Sequence, residues 1–503
     1  MDTFLSSHEA EAADTSRRKL FLQPLPFDAS SVTTEAEEAG QGLSVEEELV
    51  ISLIGEDQQH HSPHHSLPDD DISPRTRRRI RMLSKPSTIR VICILNVPGW
   101  EAIAPHHIEI EQIEAGLTNQ LFRVAVGTPK PSCRRCKSSE SFSAVTGTTT
   151  SPSVPRDASS PLVHQQVLFR VYGDNSKFYD SRFELDVFRA LGQRNMAPKM
   201  IANFQGGRIE EWVWGRPLLV QELQCPPELA GVATQIARLH RLALGASDVC
   251  GIVRRPCLPV KLRQWMKLSL EASFPSEAQQ QQLAALNLPQ IASEVESFLN
   301  SDVIQQADEP PEASSLTERA MLAARAIVFC HNDCQENNIM KTSEGIRLID
   351  FEYSDYNYAA FDIANIFTEA TIDYCVTQPP CFSVTTEAYP CIKRRRLFAS
   401  VYLSELLGSP ILPEDISMID PFLQQVEGFC LASNLLWGLW GVGRAFCLFG
   451  DTSCSPVALE DGRAGECLMD DPQPSDMSFD FLAYAQARFA MYLKRKEELG
   501  YSW

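Results

Sequence analysis

Residues His331, Asp333 and Asn338 form a His-x-Asp-x-x-x-x-Asn pattern directly after the apolar run Ala326 to Cys330, and a second apolar run, Ile346 to Ile349, ends in Asp350. Moving a phosphoryl group onto a hydroxyl needs a carboxylate that orients the acceptor and takes its proton. It also needs oxygen ligands for a Mg2+ that spans the phosphates. Asp333 fits the first requirement. Asn338 and Asp350 fit the second, because a tight loop and a neighbouring strand end can converge on one metal. ATP and Mg2+ are therefore the expected cosubstrate and cofactor. His331 reads as structural, a neutral imidazole orienting the loop by hydrogen bonds.

These residues need a scaffold of two apolar strands and a surrounding helical body. Strand patterns are expected at Ile89 to Leu95, Leu121 to Val126 and Val167 to Tyr172, followed by an amphipathic helix from Tyr179 to Arg194. From Leu218 onward helical patterns dominate, including Glu228 to Leu244 and Gln279 to Leu299. The fold class is α+β, a two-lobed protein-kinase-like arrangement with a small β-rich N-lobe and a larger helical C-lobe. The expected organisation is a disordered extension over 1–85, a nucleotide-binding lobe over 86–215 and a catalytic, acceptor-binding lobe over 216–503. Low-complexity insertions are expected at 127–165 and 451–478.

Composition narrows the partners. The 503 residues carry 45 Lys plus Arg against 65 Asp plus Glu, a net charge of -20, which argues against nucleic acid and anionic membranes. With 44% hydrophobic residues most of the chain should fold. The longest apolar stretch, Leu435 to Phe449, contains Arg444 and is too short to span a bilayer, so no membrane span is expected. The acidic N-terminus lacks a secretory pattern, and 15 scattered cysteines suit a reduced, cytoplasmic setting. Cys133 and Cys136 form one Cys-x-x-Cys with no second pair nearby, so no zinc site is expected there.

Asp350 is followed by Phe351 and Glu352 rather than by the Phe-Gly of protein kinases, and no Ala-Pro-Glu motif follows, which points to a small acceptor. The stretch from Leu348 to Asn365, with the His-Asn-Asp-Cys-Gln-Glu run at 331–336, closely resembles the choline/ethanolamine kinase family. So do Leu436 to Trp440 and Tyr484 to Phe489, in the same order. The resemblance spans about residues 86 to 503, outside the two insertions.

The resemblance implies that Asp333 is the catalytic base, Gln335 a loop residue near the phosphates, and Asn338 and Asp350 the Mg2+ ligands. Asp362 looks like the carboxylate that braces the catalytic loop from a helix start. Gly116, Thr118 and Asn119 resemble the phosphate-covering loop, with Ala115 where the family usually has a second Gly. Arg170 takes the strand position of the protein-kinase phosphate-holding Lys, with Glu184 as its expected ion-pair partner. Glu210 to Val213, and so Glu211, Trp212 and Val213, match the linker whose backbone would meet adenine.

For the acceptor, Trp437 and Trp440 lie three apart in a helical stretch, as do Phe481 and Tyr484, so each pair shares one helix face. By spacing alone these pairs suit core packing. The resemblance assigns them, with Tyr353 and Tyr374, to a choline pocket, and Glu369 to the carboxylate beside the ammonium. A quaternary ammonium has no N–H, so aromatic faces and a nearby negative charge must recognise it. The expected function is choline kinase, giving phosphocholine towards phosphatidylcholine. The alternatives are ethanolamine kinase, a dual-specificity enzyme, an antibiotic-type phosphotransferase, or a catalytically inactive kinase-like binding module. A homodimer is left open.

Overall fold

The computed structural model describes residues 74–113, 119–127, 163–173, 178–305, 315–450 and 479–503. They divide into two compact units. The first takes the chain through Glu109 with Val126–Val163 and Asn203–Gly207; the second takes Ile110–Ala125, His164–Ala202 and Arg208–Trp503. Most of the expected N-terminal extension, most of the 127–165 insertion and all of the 451–478 insertion lie outside the described residues.

In the first unit, α1 (Pro74–Leu83) and α2 (Pro86–Asn96) replace two expectations. The end of the extension is helical, and the strand expected at Ile89 to Leu95 is a helix. Pro86 stands in the first turn of α2, where its fixed φ and missing N–H do no harm. Ile89, Ile92 and Cys93 are spaced to share one face, and all three are buried. A strand would have put Ile89 and Ile92 on opposite sides.

The second unit carries most of a five-stranded sheet. Its strands are β1 (Ile108–Ile113), β2 (Asn119–Val126), β3 (Gln166–Tyr172), β4 (Met200–Phe204) and β5 (Gly207–Glu211), in the order β1-β2-β3-β5-β4. Strands β2 and β3 are antiparallel, with Leu121 opposite Arg170. The β-branched and aromatic run Val167, Phe169 and Val171 is buried on one face of β3, so Arg170 emerges on the other. Between β3 and β4 runs α3 (Ser181–Gln193), whose N-cap Asp180 accepts hydrogen bonds from the amides of Arg182 (2.8 Å) and Phe183 (3.3 Å).

After β6 (Gly215–Pro217) the chain is mainly helical, with α4 (Pro226–His240), α5 (Leu258–Leu270), α6 (Glu277–Ala285), α7 (Leu288–Leu299) and α8 (Leu316–Leu322). The single helix expected over Gln279 to Leu299 is broken into α6 and α7. Asn287 takes a left-handed conformation (φ 49°) and Pro289 cannot donate to a preceding turn. Next come β7 (Ile327–Cys330), β8 (Ile339–Thr342), β9 (Gly345–Leu348) and β10 (Asp355–Tyr358), then α9 (Ala359–Glu369), β11 (Ile372–Asp373) and β12 (Ser383–Val384). The last helices are α10 (Ile392–Leu407), α11 (Ile416–Phe449) and α12 (Phe481–Glu498).

Helix α11 is the centre of the large lobe. Every residue from Val426 to Ala445 is buried, with α5, α9 and α12 packed around it. Two glycines permit the approach of α12: a Cβ at Gly438 would lie 2.4 Å from the Phe489 ring, and one at Gly441 would lie 2.9 Å from the Phe481 carbonyl oxygen. No helix among the described residues is long and apolar enough to cross a membrane.

Candidate active site

Strands β7 and β10 are antiparallel, with Cys330 opposite Asp355, so the loop leaving β7 begins beside the start of β10. Asp362, in the first turn of α9 and wholly buried, accepts from the amides of His331 (2.7 Å) and Asn332 (2.6 Å) and pairs with His240 Nε2 (3.1 Å). Burial pushes the Asp362 carboxyl up, but the His240 hydrogen bond and the fields of His240 and His331 outweigh it and hold the group below its ordinary value. Asn332 sits in the left-handed region (φ 68°) and is pinned by its side chain to the Tyr353 carbonyl (3.0 Å) and to Asn357 (2.8 Å).

His331 ties this loop to the end of β9. Its Nδ1 accepts from the Asp333 amide (3.3 Å), so Nε2 carries the proton and donates to the Ile349 carbonyl (2.9 Å). Burial holds the imidazole below its ordinary pKa, which keeps this neutral tautomer. The Ile349 amide in turn donates to the Asn338 carbonyl (3.0 Å). Those bonds bring together Asp333, Asn338 and Asp350.

Asp333 Oδ2 accepts from Asn338 Nδ2 at 2.9 Å, and the same Nδ2 donates to the Asp333 carbonyl at 2.9 Å. Burial, followed by the charges of Glu369, Glu352 and Asp350, pushes the Asp333 carboxyl well above its ordinary range. Since Asn338 spends its amide hydrogens on Asp333, its Oδ1 is the atom left to ligate. Asp350, at φ 63° and with a side chain 24% exposed, adds a carboxylate. Two hard oxygen donors fit Mg2+, which keeps waters and substrate phosphates as its remaining ligands.

The ion pair expected between Arg170 and Glu184 is not formed. Arg170 Nε donates to Glu210 (2.8 Å), and its Nη1 lies 3.4 Å from Asp350. Glu184 is taken by Arg208 (2.7 Å), whose Nε shares Glu210 (2.8 Å). Arg208 and Glu210 alternate on β5 and so point to the same side of the sheet, interposing a second arginine between α3 and Arg170. Burial works against the Arg170 charge, but Glu210 and Asp350 outweigh it and keep the guanidinium protonated. Arg208 and Glu210 were the missed members of this network, and a buried Arg-x-Glu in a sheet strand was the available signal.

Of the expected phosphate loop, Gly116 and Thr118 lie outside the described residues. Asn119 opens β2, donating to Glu352 (3.1 Å) and accepting from the Gly173 amide (3.1 Å). Gln335 precedes a single turn over Glu336–Asn338 and accepts from Asn337 (3.2 Å). Glu211 pairs backbone to backbone with Lys199 (2.8 Å), while Trp212 and Val213 are half-buried, with Arg123 6.0 Å over the Trp212 ring.

The aromatic residues form one connected wall. Tyr353 meets Trp437 edge-on at 5.2 Å and accepts from Trp440 Nε1 at 2.8 Å. Trp440 continues to Phe481 (5.7 Å) and Tyr484 (6.1 Å), and Tyr484 to Tyr374 (6.1 Å). Trp265, which sequence reasoning did not select, closes the other end against Tyr353 (6.2 Å) and Trp437 (6.3 Å). Glu369 stands at the Tyr374 end and accepts from its hydroxyl (2.9 Å). It is also paired with the buried Arg488 of α12, which donates to Tyr484 (2.9 Å) as well. That arginine lies inside the Tyr-Ala-Gln-Ala-Arg-Phe run; its spacing of four from Tyr484 put it on the same helix face.

A family model described as choline/ethanolamine kinase matches residues 110–493. The choline/ethanolamine kinase of Rattus norvegicus is 27% identical over 434 residues, covering 84% of this chain and 90% of that protein. The crystal structure of a choline kinase from Cryptosporidium parvum is 32% identical, with a TM-score of 0.60, over 82% of this chain and 96% of its own. An ethanolamine kinase of Plasmodium vivax shares the fold at 19% identity, with a TM-score of 0.54, over 86% of this chain and 98% of its own.

Proposed function

This chain belongs to the choline/ethanolamine kinase family, with a two-lobed protein-kinase-like fold, and we propose that it transfers the γ-phosphoryl group of ATP to the hydroxyl of choline, giving phosphocholine and ADP. The broader activity, a phosphotransferase acting on an alcohol, is the family's. The choline reading rests on one observation: the carboxylate and amide oxygens along the aromatic wall already accept hydrogen bonds. Glu369 is held by Arg488 and Tyr374, and Asn365 Oδ1 by Ser433 (2.7 Å) and Trp437 (3.1 Å). The wall therefore offers π faces and an ion-paired carboxylate rather than free acceptors. A quaternary ammonium needs no acceptor, whereas a primary ammonium brings three N–H donors to satisfy.

In the proposed reaction Asp333 orients the choline hydroxyl and takes its proton as the oxygen attacks the γ-phosphorus. The bond from that phosphorus to the ADP oxygen breaks in line, ADP leaves, and Asp333 returns the proton to solvent. A carboxyl held above its ordinary range is well matched to accepting a proton. The cationic acceptor opposes the carboxylate field around Asp333, so its own binding favours the ionised base. Arg170, oriented by Glu210, brings a fixed positive charge to the α and β phosphates. Asn338 Oδ1 and the Asp350 carboxylate would hold Mg2+, which when bound supplies charge neutralisation across the phosphates.

An inactive binding module is disfavoured by the complete set of Asp333, Asn338, Asp350 and Arg170. Choline-dependent ADP release by the full chain, compared with Asp333→Asn, tests the reading. Release at a rate above the Asp333→Asn background is expected; equal rates would remove the proposal.

A further inference from the structure

Glu336 lies within the loop, between Asp333 and Asn338, but is given no part in the chemistry above. It is 0% exposed, and its Oε2 accepts no hydrogen bond, a costly state for a buried carboxyl group. Oε1 accepts only from the Tyr374 amide (3.3 Å) and Asn337 Nδ2 (3.5 Å). Two more ligand-bearing side chains converge on it, the half-buried Asp373 at the end of β11 and the exposed free thiol Cys375. One carboxylate oxygen from each acid and Cys375 Sγ all lie within 4.8 Å of one another. Asp373 Oδ1 also accepts from the Cys375 amide (2.9 Å), which holds the carboxylate and the thiol on one turn.

We propose that Glu336, Asp373 and Cys375 bind a thiophilic divalent cation of the Zn2+ class, at a place distinct from the Asn338 and Asp350 oxygens. One thiolate and two carboxylates make a three-ligand set, with a fourth position open to solvent beside the exposed cysteine. Around a tetrahedral Zn2+ such ligand atoms stand about 3.5 Å apart, so closing the site needs movements of about 1 Å in a surface turn. Mg2+, which avoids sulfur, does not compete. The cation would also supply the missing partner of Glu336 Oε2. Tyr374 stands between two of the ligands, with its hydroxyl on Glu369, so a bound cation would restrain the segment that carries it. That consequence rests on the acceptor reading given above; the binding itself does not.

The test is a Co2+ titration of the full chain without nucleotide, in the wild type, Cys375→Ser, Asp373→Asn and Glu336→Gln. The wild type should show a thiolate-to-cobalt charge-transfer band that Zn2+ displaces. That band should be absent at this stoichiometric step in Cys375→Ser, with Co2+ affinity at least about tenfold weaker in Asp373→Asn, the scale of a lost ligand interaction. The Cys375 and Asp373 variants alter exposed and half-buried positions, so they decide the matter even where Glu336→Gln does not fold. Identical spectra in the wild type and Cys375→Ser, or unchanged affinity in Asp373→Asn, overturn the proposal.

Discussion

Replacing Arg488 by methionine removes one charge of a buried pair while keeping much of the side-chain volume. The Arg488 side chain is 1% exposed and that of Glu369 is 2% exposed, so solvent screening gives little relief. Besides Glu369, Arg488 donates to Tyr484 (2.9 Å), Tyr374 (3.2 Å) and Asn434 (3.4 Å). Leaving a carboxylate unpaired in such a place costs about 3–5 kcal/mol. For a protein whose stability is about 5–15 kcal/mol, that is a large fraction. With a urea slope of about 3 kcal/mol per M, the unfolding midpoint of Arg488→Met should fall by roughly 1 to 1.7 M. The double variant Arg488→Met/Glu369→Leu removes both charges and should recover most of that loss, because apolar replacements of a buried pair are often neutral. It should nonetheless bind choline less tightly, since the carboxylate at the end of the wall is gone. A single variant with an unchanged midpoint, or a double variant no more stable than the single one, would refute the argument that the pair is held by mutual compensation.

Asp333→Asn should lower turnover by about two to four orders of magnitude with nucleotide binding retained, as checked by ADP release and nucleotide titration. Trp437→Ala and Trp440→Ala should each raise the choline KM roughly thirtyfold, from a desolvated cation-π contact of about 2 kcal/mol, with a smaller effect on ethanolamine. Stability should fall as pH drops through about 6.5, because the unfolded chain takes up a proton there that buried His331 refuses. His331→Gln lacks that site, so its gap in urea midpoint from the wild type should narrow between about pH 7 and pH 5.

The convergence of the candidate catalytic residues was legible because they are local. Asp333, Asn338 and Asp350 belong to two short loops joined by neighbouring strands, so spacing and strand ends nearly determine their convergence. The aromatic wall was legible only in part. Trp437, Trp440 and Tyr484 sit at helical spacings, but Trp265 joins them from α5, and no pattern within one helix predicts a contact across such a separation in the chain. The Arg170 partner was misread for the same reason: β5 lies beside β3 in the sheet, and strand order decides that Glu210 reaches Arg170 before Glu184 does. The strand expected at Ile89 to Leu95 failed on period, since β-branched residues outweighed a spacing of three and four that suits a helix. Glu369 stands beside the wall, and its engagement by Arg488 depends on how α12 packs on α11.

The central claim, that an aromatic wall with engaged acceptors selects a quaternary ammonium, is tested most directly by kcat/KM for choline and for ethanolamine measured side by side on the full chain. A preference for choline of roughly tenfold or more is predicted, from a cation-π advantage of about 1.4 kcal/mol or more. Equal values, or a preference for ethanolamine, would contradict it.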